Sequence, residues 1–570
     1  MSRTGVLDRL RRLLAAAHVA RRTGQRPADV LAAAAARRPA RRDGPSRRAF
    51  LGQAAGAAAL LPLVGCGDNA SGYDVRATVA VVGGGIAGLH CAYRLAEAGV
   101  DVVLFEASDR TGGRMYTARD AFPEGQLCEL GGELVDTDHE VIQILCGELG
   151  LTLDDLPAET AGLRADTFHF DGGVLDEQDL ADAFTPLAAT MAATVAAAEA
   201  DDAEFARVDA MSIPAWLEGE AGLAAGSQLR KILEITYTGE YGLEADEQSI
   251  FNLLYLIDYD TPDPFHIFGD SDERFHVHEG NDAVPAALAA ALPDGVIRLD
   301  HALVRVVATG DGYDLSFRTG GGDVAVAATH VVFALPFTKL REVDLVDSGL
   351  PADKRTIIDE LGYGTNAKLM LGFDTRAWAT GSGAAGGSYT DVGELQSTWD
   401  STRGQAGARG ILTNFVGGAR GLSIGDGSAE SQAAIVVPWV DTVFPGAAAA
   451  YTADSAVRMH WPTHPFTRGS YACYRPGQWA FFGLEGQRAG DLHFCGEHTS
   501  EDFQGYMEGG AETGLAVAME ILDDLGVAPS ARAAAIATRV LRRPRATYHA
   551  GLWRGERRRW RRQQRRRLAR

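Results

Sequence analysis

The chain has 570 residues, 46% of them hydrophobic, enough to bury a large core across about two to four domains. Its formal charge of -22 is segregated: residues 1–50 carry +10, residues 530–570 carry +14, and the stretch between carries -46. A body that acidic disfavours nucleic acid and anionic substrates and attracts cations at long range, while also serving solubility. Six cysteines in this length exclude a disulfide scaffold. None has metal-ligand spacing to a histidine, so no metal is expected. Cys91 and Cys495, in apolar helix-like and strand-like surroundings, read as small core residues.

The first segment with a pattern is Ser46–Leu51, where Arg47 and Arg48 directly precede an apolar run from Leu51 to Val64. That run is too short for a comfortable membrane span and too apolar for a loop. It resembles a twin-arginine export signal, whose machinery moves folded proteins, and Leu63-Val64-Gly65-Cys66 resembles a lipobox whose cysteine is lipidated. Residues 1–66 are thus expected to be an export signal. The mature chain is expected on the periplasmic or cell-surface side, held to the membrane by lipid on Cys66.

After a polar spacer, Ala77–Val82 is an apolar, β-branched run of buried-strand length. Gly83-Gly84-Gly85-Ile86-Ala87-Gly88 follows, then an apolar helical pattern over Leu89–Ala98. In this strand, Gly-x-Gly-x-x-Gly, helix arrangement Gly83 permits the tight turn. Gly85 lets backbone approach a pyrophosphate, and Gly88 lets helix and strand pack closely. The helix N-terminus that follows offers free amides to phosphate charge. A second strand, Val102–Phe105, ends at Glu106, 23 residues after Gly83. An acid there is placed for the ribose hydroxyls of an adenosine and argues against a 2′-phosphate.

The residues that follow select the cofactor. Glu106-Ala107-Ser108-Asp109-Arg110-Thr111-Gly112-Gly113-Arg114 and, far downstream, His493–Ser500 with Gln504–Gly510 resemble the motifs of the flavin-containing amine oxidase family. The resemblance runs from residue 75 to about 526 and implies FAD. Its cofactor set would comprise Gly83, Gly85, Ile86, Ala87, Gly88, Glu106 and Ala107 at the first two strands. Gly113, Arg114, Gly131, Gly132 and Glu133 would join them from the loops, Val306 from a middle strand, and Gly496, Glu497, Gly505, Tyr506 and Met507 from the far end. The implied reaction removes a hydride from the carbon bearing an amine, giving an imine that water hydrolyses, while O2 reoxidises the flavin to yield H2O2.

Three residues match the family's catalytic parts. Tyr471 and Tyr506 stand where the family flanks the amine with two aromatic rings, and Lys368, one of four lysines in the chain, matches the lysine that holds a water against the flavin. Two positions depart from relatives. Ser470 replaces the cysteine that bonds to flavin in monoamine oxidases, so FAD is expected to be non-covalent, with Cys473 off the matched position. Glu133 stands where venom-type L-amino-acid oxidases carry an arginine; it either binds a second cationic group of the substrate or caps nearby backbone.

The fold expected is α/β: a Rossmann-like FAD domain of the flavin amine oxidase type (73–150, 275–345, 460–527) interleaved with an α+β substrate domain (151–274, 346–459). Residues 528–570 read as a basic, disordered tail. Three functions stay open: an oxidase of polyamines or other cationic amines; an L-amino-acid oxidase for basic side chains, with Arg274 or Arg468 meeting the carboxylate; and a flavin-bound binding or assembly protein without turnover.

Overall fold

The computed structural model describes residues 72–541. The export signal, Cys66 and the stretch from 542 onward lie outside the described residues. β1 (Val75–Val82) is buried along its second half on both faces, so it shows no polar alternation. Gly83 ends it at φ 111°, and α1 (Ile86–Glu97) leads to β2 (Val102–Phe105), which lies parallel to β1. Further strands, in chain order, are β3 (Arg164–Phe170), β4 (Gly173–Val174), β5 (Ile297–Arg298), β6 (Ala302–Ala308) and β7 (Tyr313–Thr319). Then follow β8 (Gly322–Phe333), β9 (Ala367–Phe373), β10 (Ala384–Thr390), β11 (Ser397–Asp400), β12 (Gly410–Val416), β13 (Tyr451–His460) and β14 (Leu492–Phe494). Helices used below are α2 (Glu140–Leu149), α3 (Glu177–Ala200), α4 (Gln228–Tyr241), α5 (Met507–Leu525) and α6 (Ala531–Val540).

Two seven-stranded sheets organise this mixed α/β protein. The first runs β6-β7-β8-β1-β2-β5, with β14 also paired to β8. The second runs β13-β9-β12-β11-β10-β3-β4. The chain therefore visits the first sheet at 75–105, leaves for β3 and β4, returns at 297–333, leaves again for β9–β13, and comes back for β14. The long β8 joins two regimes: its first half pairs antiparallel with β7 and its second half parallel with β1 and β14. Val82 stands opposite Phe105 and Phe333, and Phe333 opposite Phe494. The carboxyl ends of four parallel strands thus open side by side, the place where open α/β sheets bind ligands.

Two helices close over those ends. Gly88 on α1 packs so tightly that a Cβ there would lie 2.0 Å from the Gly83 carbonyl oxygen, and a Cβ at Gly514 on α5 would lie 2.2 Å from the Ala87 carbonyl. Glu508, fully buried on α5, accepts the Val141 and Ile142 amides at 2.8 and 2.9 Å and so caps α2.

The tail departs from expectation at its start. α6 forms over Ala531–Val540, its N-terminus capped by Ser530, whose hydroxyl accepts the Ala533 amide at 3.1 Å. Ala533, Ile536 and Val540 are buried on one stripe, while Arg539 pairs with Glu140 at 2.7 Å. Apolar residues at helical spacing pack, and the arginines between them face outward; charge density alone did not prevent order here.

Candidate functional site

A cavity of about 800 Å3 extends from the glycine motif of the first sheet to the second sheet. At its glycine end, Gly83, Gly85, Ile86, Ala87, Glu106 and Ala107 line the wall. A Cβ at Gly83 would lie 2.5 Å from the Ala334 carbonyl oxygen, whereas one at Gly85 would meet nothing within 4 Å. The space beyond Gly85 is therefore lumen. Gly88 is not on the wall; it serves by letting α1 approach the turn. Neither α1 nor α5 has a side-chain cap at its N-terminus, and both begin on the wall, at Ile86 and Met507. Two uncapped helix starts facing one lumen suit an anionic, dinucleotide-sized group. Glu106 accepts Gly84 N–H at 2.7 Å and Ser108 N–H at 2.8 Å, which fixes its carboxylate at the end of β2, where further lone pairs remain for ribose hydroxyls.

The loop after β2 carries two cations to the lumen. Arg110 donates to the Gly113 carbonyl at 2.7 Å and lies over the Tyr116 ring at 3.7 Å. Arg114 donates to the Ser470 carbonyl at 2.6 Å and to Glu497 at 2.8 Å. Glu497 in turn accepts the Gly505 amide at 2.9 Å. This chain of bonds ties the first loop to the C-terminal segment across 383 residues. Gly113, Arg114, Gly131, Gly132, Gly496, Glu497, Gly505, Tyr506 and Met507 all line the cavity. Val306 does not. It is fully buried in β6, and its amide donates to the Asp344 carbonyl at 3.0 Å. Leu303 and Val304, nearer the start of the strand, reach the wall in its place.

Lys368 and Glu133 meet at the wall as a buried ion pair, Nζ to Oε2 at 2.8 Å, with side chains only 5% and 6% exposed. The same ammonium donates to the Glu129 carbonyl at 3.1 Å and the Gly131 carbonyl at 2.8 Å. Its three hydrogens are thus taken, and holding a water requires exchanging one of these bonds. Burial pushes the Glu133 carboxyl upward, but the charge and hydrogen bond of Lys368, with help from His276 and Ser401, outweigh it and hold the carboxyl below its usual range. Glu133 therefore reaches the cavity as expected, but not as a free anion: its charge is spent on Lys368, and the reading in which it alone attracts a second cationic group is corrected.

Tyr471 and Tyr506 both line the cavity. The Tyr471 hydroxyl donates to the Glu240 carbonyl oxygen, and the Tyr506 ring stands edge-on to His139 at 5.1 Å between centroids. Burial pushes both phenols well above their ordinary range, so both are neutral. Trp399 and Phe415, on β11 and β12, extend the aromatic wall, with Lys368 Nζ 5.0 Å from the Trp399 ring.

Two acids that sequence reasoning missed share this end. Glu240 closes α4, and Glu273 sits in a loop at φ 45°; both line the lumen. Burial pushes the Glu240 carboxyl up to about 7, with Asp136 adding repulsion. Glu273 is exposed, but into the cavity; loss of bulk water together with the charges of Asp136, Asp166 and Glu240 raises it to about 8, against a smaller opposing effect of Arg403. Only the overall acidity of the chain hinted at them. Arg274 and Arg468, the arginines considered for a substrate carboxylate, are off the wall: Arg274 pairs with Asp155 at 2.6 Å and Arg468 with Glu342 at 3.8 Å. Ser470 is on the wall, its hydroxyl donating to Asn366 at 2.6 Å. Cys473 is fully buried elsewhere.

The family model described as flavin containing amine oxidoreductase matches residues 86–522. An L-amino acid dehydrogenase of a Synechocystis species is 24% identical over 477 residues, 78% of this chain and 94% of that protein. Among solved structures, a putrescine oxidase bound to putrescine aligns over 79% of this chain and 99% of its own, at 21% identity and a TM-score of 0.66. Cyclohexylamine oxidase from Brevibacterium oxydans aligns over the same shares at 20% identity and a TM-score of 0.68.

Proposed function

The chain belongs to the flavin containing amine oxidoreductase family, and we propose that it is an FAD-dependent oxidase of cationic amines, with diamines and polyamines as the favoured class and O2 reduced to H2O2. The observation that carries this reading is the single lumen joining uncapped helix starts at Gly85–Ala87 and Met507 to two neutral tyrosines and two acids of raised pKa. Flavin, when bound, supplies the acceptor for the hydride leaving the amine-bearing carbon.

The protein's own residues then have defined tasks. Gly85 leaves room for the pyrophosphate, α1 and α5 present amides to anionic oxygens, and Glu106 receives the ribose. Tyr471 and Tyr506 offer ring faces to a narrow, cationic substrate. Lys368, paired with Glu133, contributes a fixed positive charge beside the lumen, the kind of preorganised electrostatics that favours a reduced, electron-rich cofactor. Glu240 and Glu273 receive the distal ammonium, whose charge draws both carboxyls toward ionisation. Non-covalent flavin is supported by Ser470 and by the absence of any cysteine from the cavity wall among the described residues.

An L-amino acid would need a cation for its carboxylate. Among the described residues the arginines and lysines on the wall are Arg110, Arg114, Arg318, Lys339 and Lys368; each is already held, by the Gly113 carbonyl, Glu497, Asp323, Glu342 and Glu133 respectively, so the amine reading is preferred. Export by the twin-arginine route and lipidation at Cys66 complete the proposal, supported by the sequence around Arg47, Arg48 and Cys66 alone.

Peroxide release across diamines, monoamines and basic L-amino acids tests the function. Diamines should lead, and Glu240→Gln with Glu273→Gln should raise their KM selectively, since loss of a desolvated charge contact costs about 2–5 kcal/mol. A basic L-amino acid as best substrate, or KM values indifferent to both changes, would refute the substrate assignment. Dye reduction without peroxide would refute oxygen as the acceptor.

A further inference from the structure

Outside the cavity, on the face of the first sheet covered by the last turns of α5, we propose a binding site for one divalent late transition metal of the zinc class, held by His330, His493 and Asp524. His330 is on β8 and His493 on its parallel neighbour β14, and the pairing of these strands brings together residues 163 apart in sequence. His493 is fully buried and His330 nearly so. One ligand atom from each histidine and one from Asp524 lie within 4.8 Å of one another.

The spacing of the rings is the telling feature. His330 Nδ1 and His493 Nε2 face each other at 3.4 Å, long for a hydrogen bond between nitrogens. Two imidazoles on one tetrahedral zinc, each at about 2.0–2.1 Å, have nitrogens about 3.3–3.4 Å apart. The outer atoms fit as well. His493 Nδ1 lies 3.0 Å from Glu520 Oε2, so its proton is held on that side and the Nε2 lone pair turns toward His330. A carboxylate behind a ligating histidine fixes the tautomer and raises its basicity.

The charges around the two rings also suit a cation. Asp491 stands 4.0 Å from His330 Nδ1, and Glu520 and Asp524 flank the pair from α5. Arg488 opposes them: its Nη1 donates to Asp524 Oδ2 and its Nε lies 3.4 Å from Glu520. Asp524 is exposed, its side chain by 28%, which leaves a route from solvent. A bound ion would join β8, β14 and the end of α5, so its role is to stabilise the fold rather than to take part in oxidation. No short ligand spacing marks this site in the sequence, which is why the composition gave no expectation of a metal.

Equilibrium dialysis of the flavin-loaded, chelator-stripped protein against Zn2+ tests the assignment, with thermal unfolding read in parallel. One tight zinc per chain and a raised melting temperature are expected, whereas Mg2+, which prefers oxygen ligands, should do neither. His330→Gln should abolish the tight site, and Glu520→Gln should weaken it about 10–100-fold without altering amine turnover. Anomalous scattering at the zinc edge from crystals of the unmodified protein should place the ion between the two rings, a readout that survives any folding defect in the variants. Zinc uptake equal in the protein and in His330→Gln, equal stabilisation by Mg2+, or a scattering peak elsewhere would overturn the proposal.

Discussion

Gly85 and Gly88 stand three residues apart in one motif, yet the structure assigns them opposite responses to the same added methyl group. Gly85 has φ -75°, a value open to any residue, and a Cβ there meets nothing within 4 Å. Gly85→Ala in the flavin-stripped protein should therefore leave the fold intact. It should stabilise it by about 0.4–1 kcal/mol, because the unfolded chain loses freedom that the native turn does not need. At Gly88 the Cβ would sit 2.0 Å from the Gly83 carbonyl oxygen and 3.2 Å from its carbon. Backbone cannot swing aside as a side chain does, so Gly88→Ala should destabilise by at least about 1–3 kcal/mol, the usual cost of overpacking. Cofactor retention should sort differently. Gly85→Val projects its methyls into the lumen where the pyrophosphate is expected, and should reduce flavin affinity at least about tenfold, or 1.4 kcal/mol, without unfolding the protein. Urea unfolding of the stripped proteins and the ratio of visible flavin absorbance to protein absorbance separate the two effects. Full flavin in Gly85→Val, or Gly88→Ala as stable as Gly85→Ala, would refute the assignment of lumen and contact to these glycines.

Other perturbations reach the remaining parts of the site. Glu133→Gln should cost about 3–5 kcal/mol at pH 7, since it leaves the Lys368 ammonium buried without its partner. Because Glu133 titrates below its usual range when folded, its stabilisation is present above about pH 4.3 and fades as pH falls through the lowered value; urea unfolding that shows the same gap between variant and parent at pH 7 and pH 3 would contradict the pairing. Lys368→Met should keep its flavin but slow turnover about 10²–10³-fold, visible in rapid-mixing kinetics of the two half-reactions. With Glu240 near 7 and Glu273 near 8, both acids gain charge as pH rises, so the KM of a diamine relative to a monoamine should fall between pH 6 and 9, and the two glutamine substitutions should flatten that trend. Acid precipitation should release the flavin into the supernatant, and Cys66→Ala should free the protein from membranes without detergent, each checked by simple fractionation.

What could be read from the sequence shares a local cause. The turn at Gly83, a helix after it and the acid at Glu106 follow from backbone freedom and spacing within about two dozen residues, and the structure has β1, α1 and β2 in that order, with α1 starting at Ile86, inside the glycine motif and earlier than the pattern from Leu89. The positions of Tyr471, Tyr506 and Lys368 came from motifs, and all three line one cavity. The tertiary structure alone decided partners and reach. Lys368 finds Glu133 across 235 residues, so whether that carboxylate is free or spent depends on how β9 packs against a loop from the other sheet's segment. Val306 lies on the expected strand, but the cavity extends only along the start of β6, and at Val306 the strand is bonded to Asp344 instead. Glu240 and Glu273 acquire their raised pKa values only once the fold takes them out of bulk water, Glu273 into the cavity, and brings other acids near. The apolar stripe of α6 is visible as Ile536 and Val540, yet it orders a basic segment by packing into the core cluster beside α1 and α5. Conformation over a few residues is governed by local sterics and spacing, whereas charge state, partner and access depend on neighbours that the chain brings together only by folding.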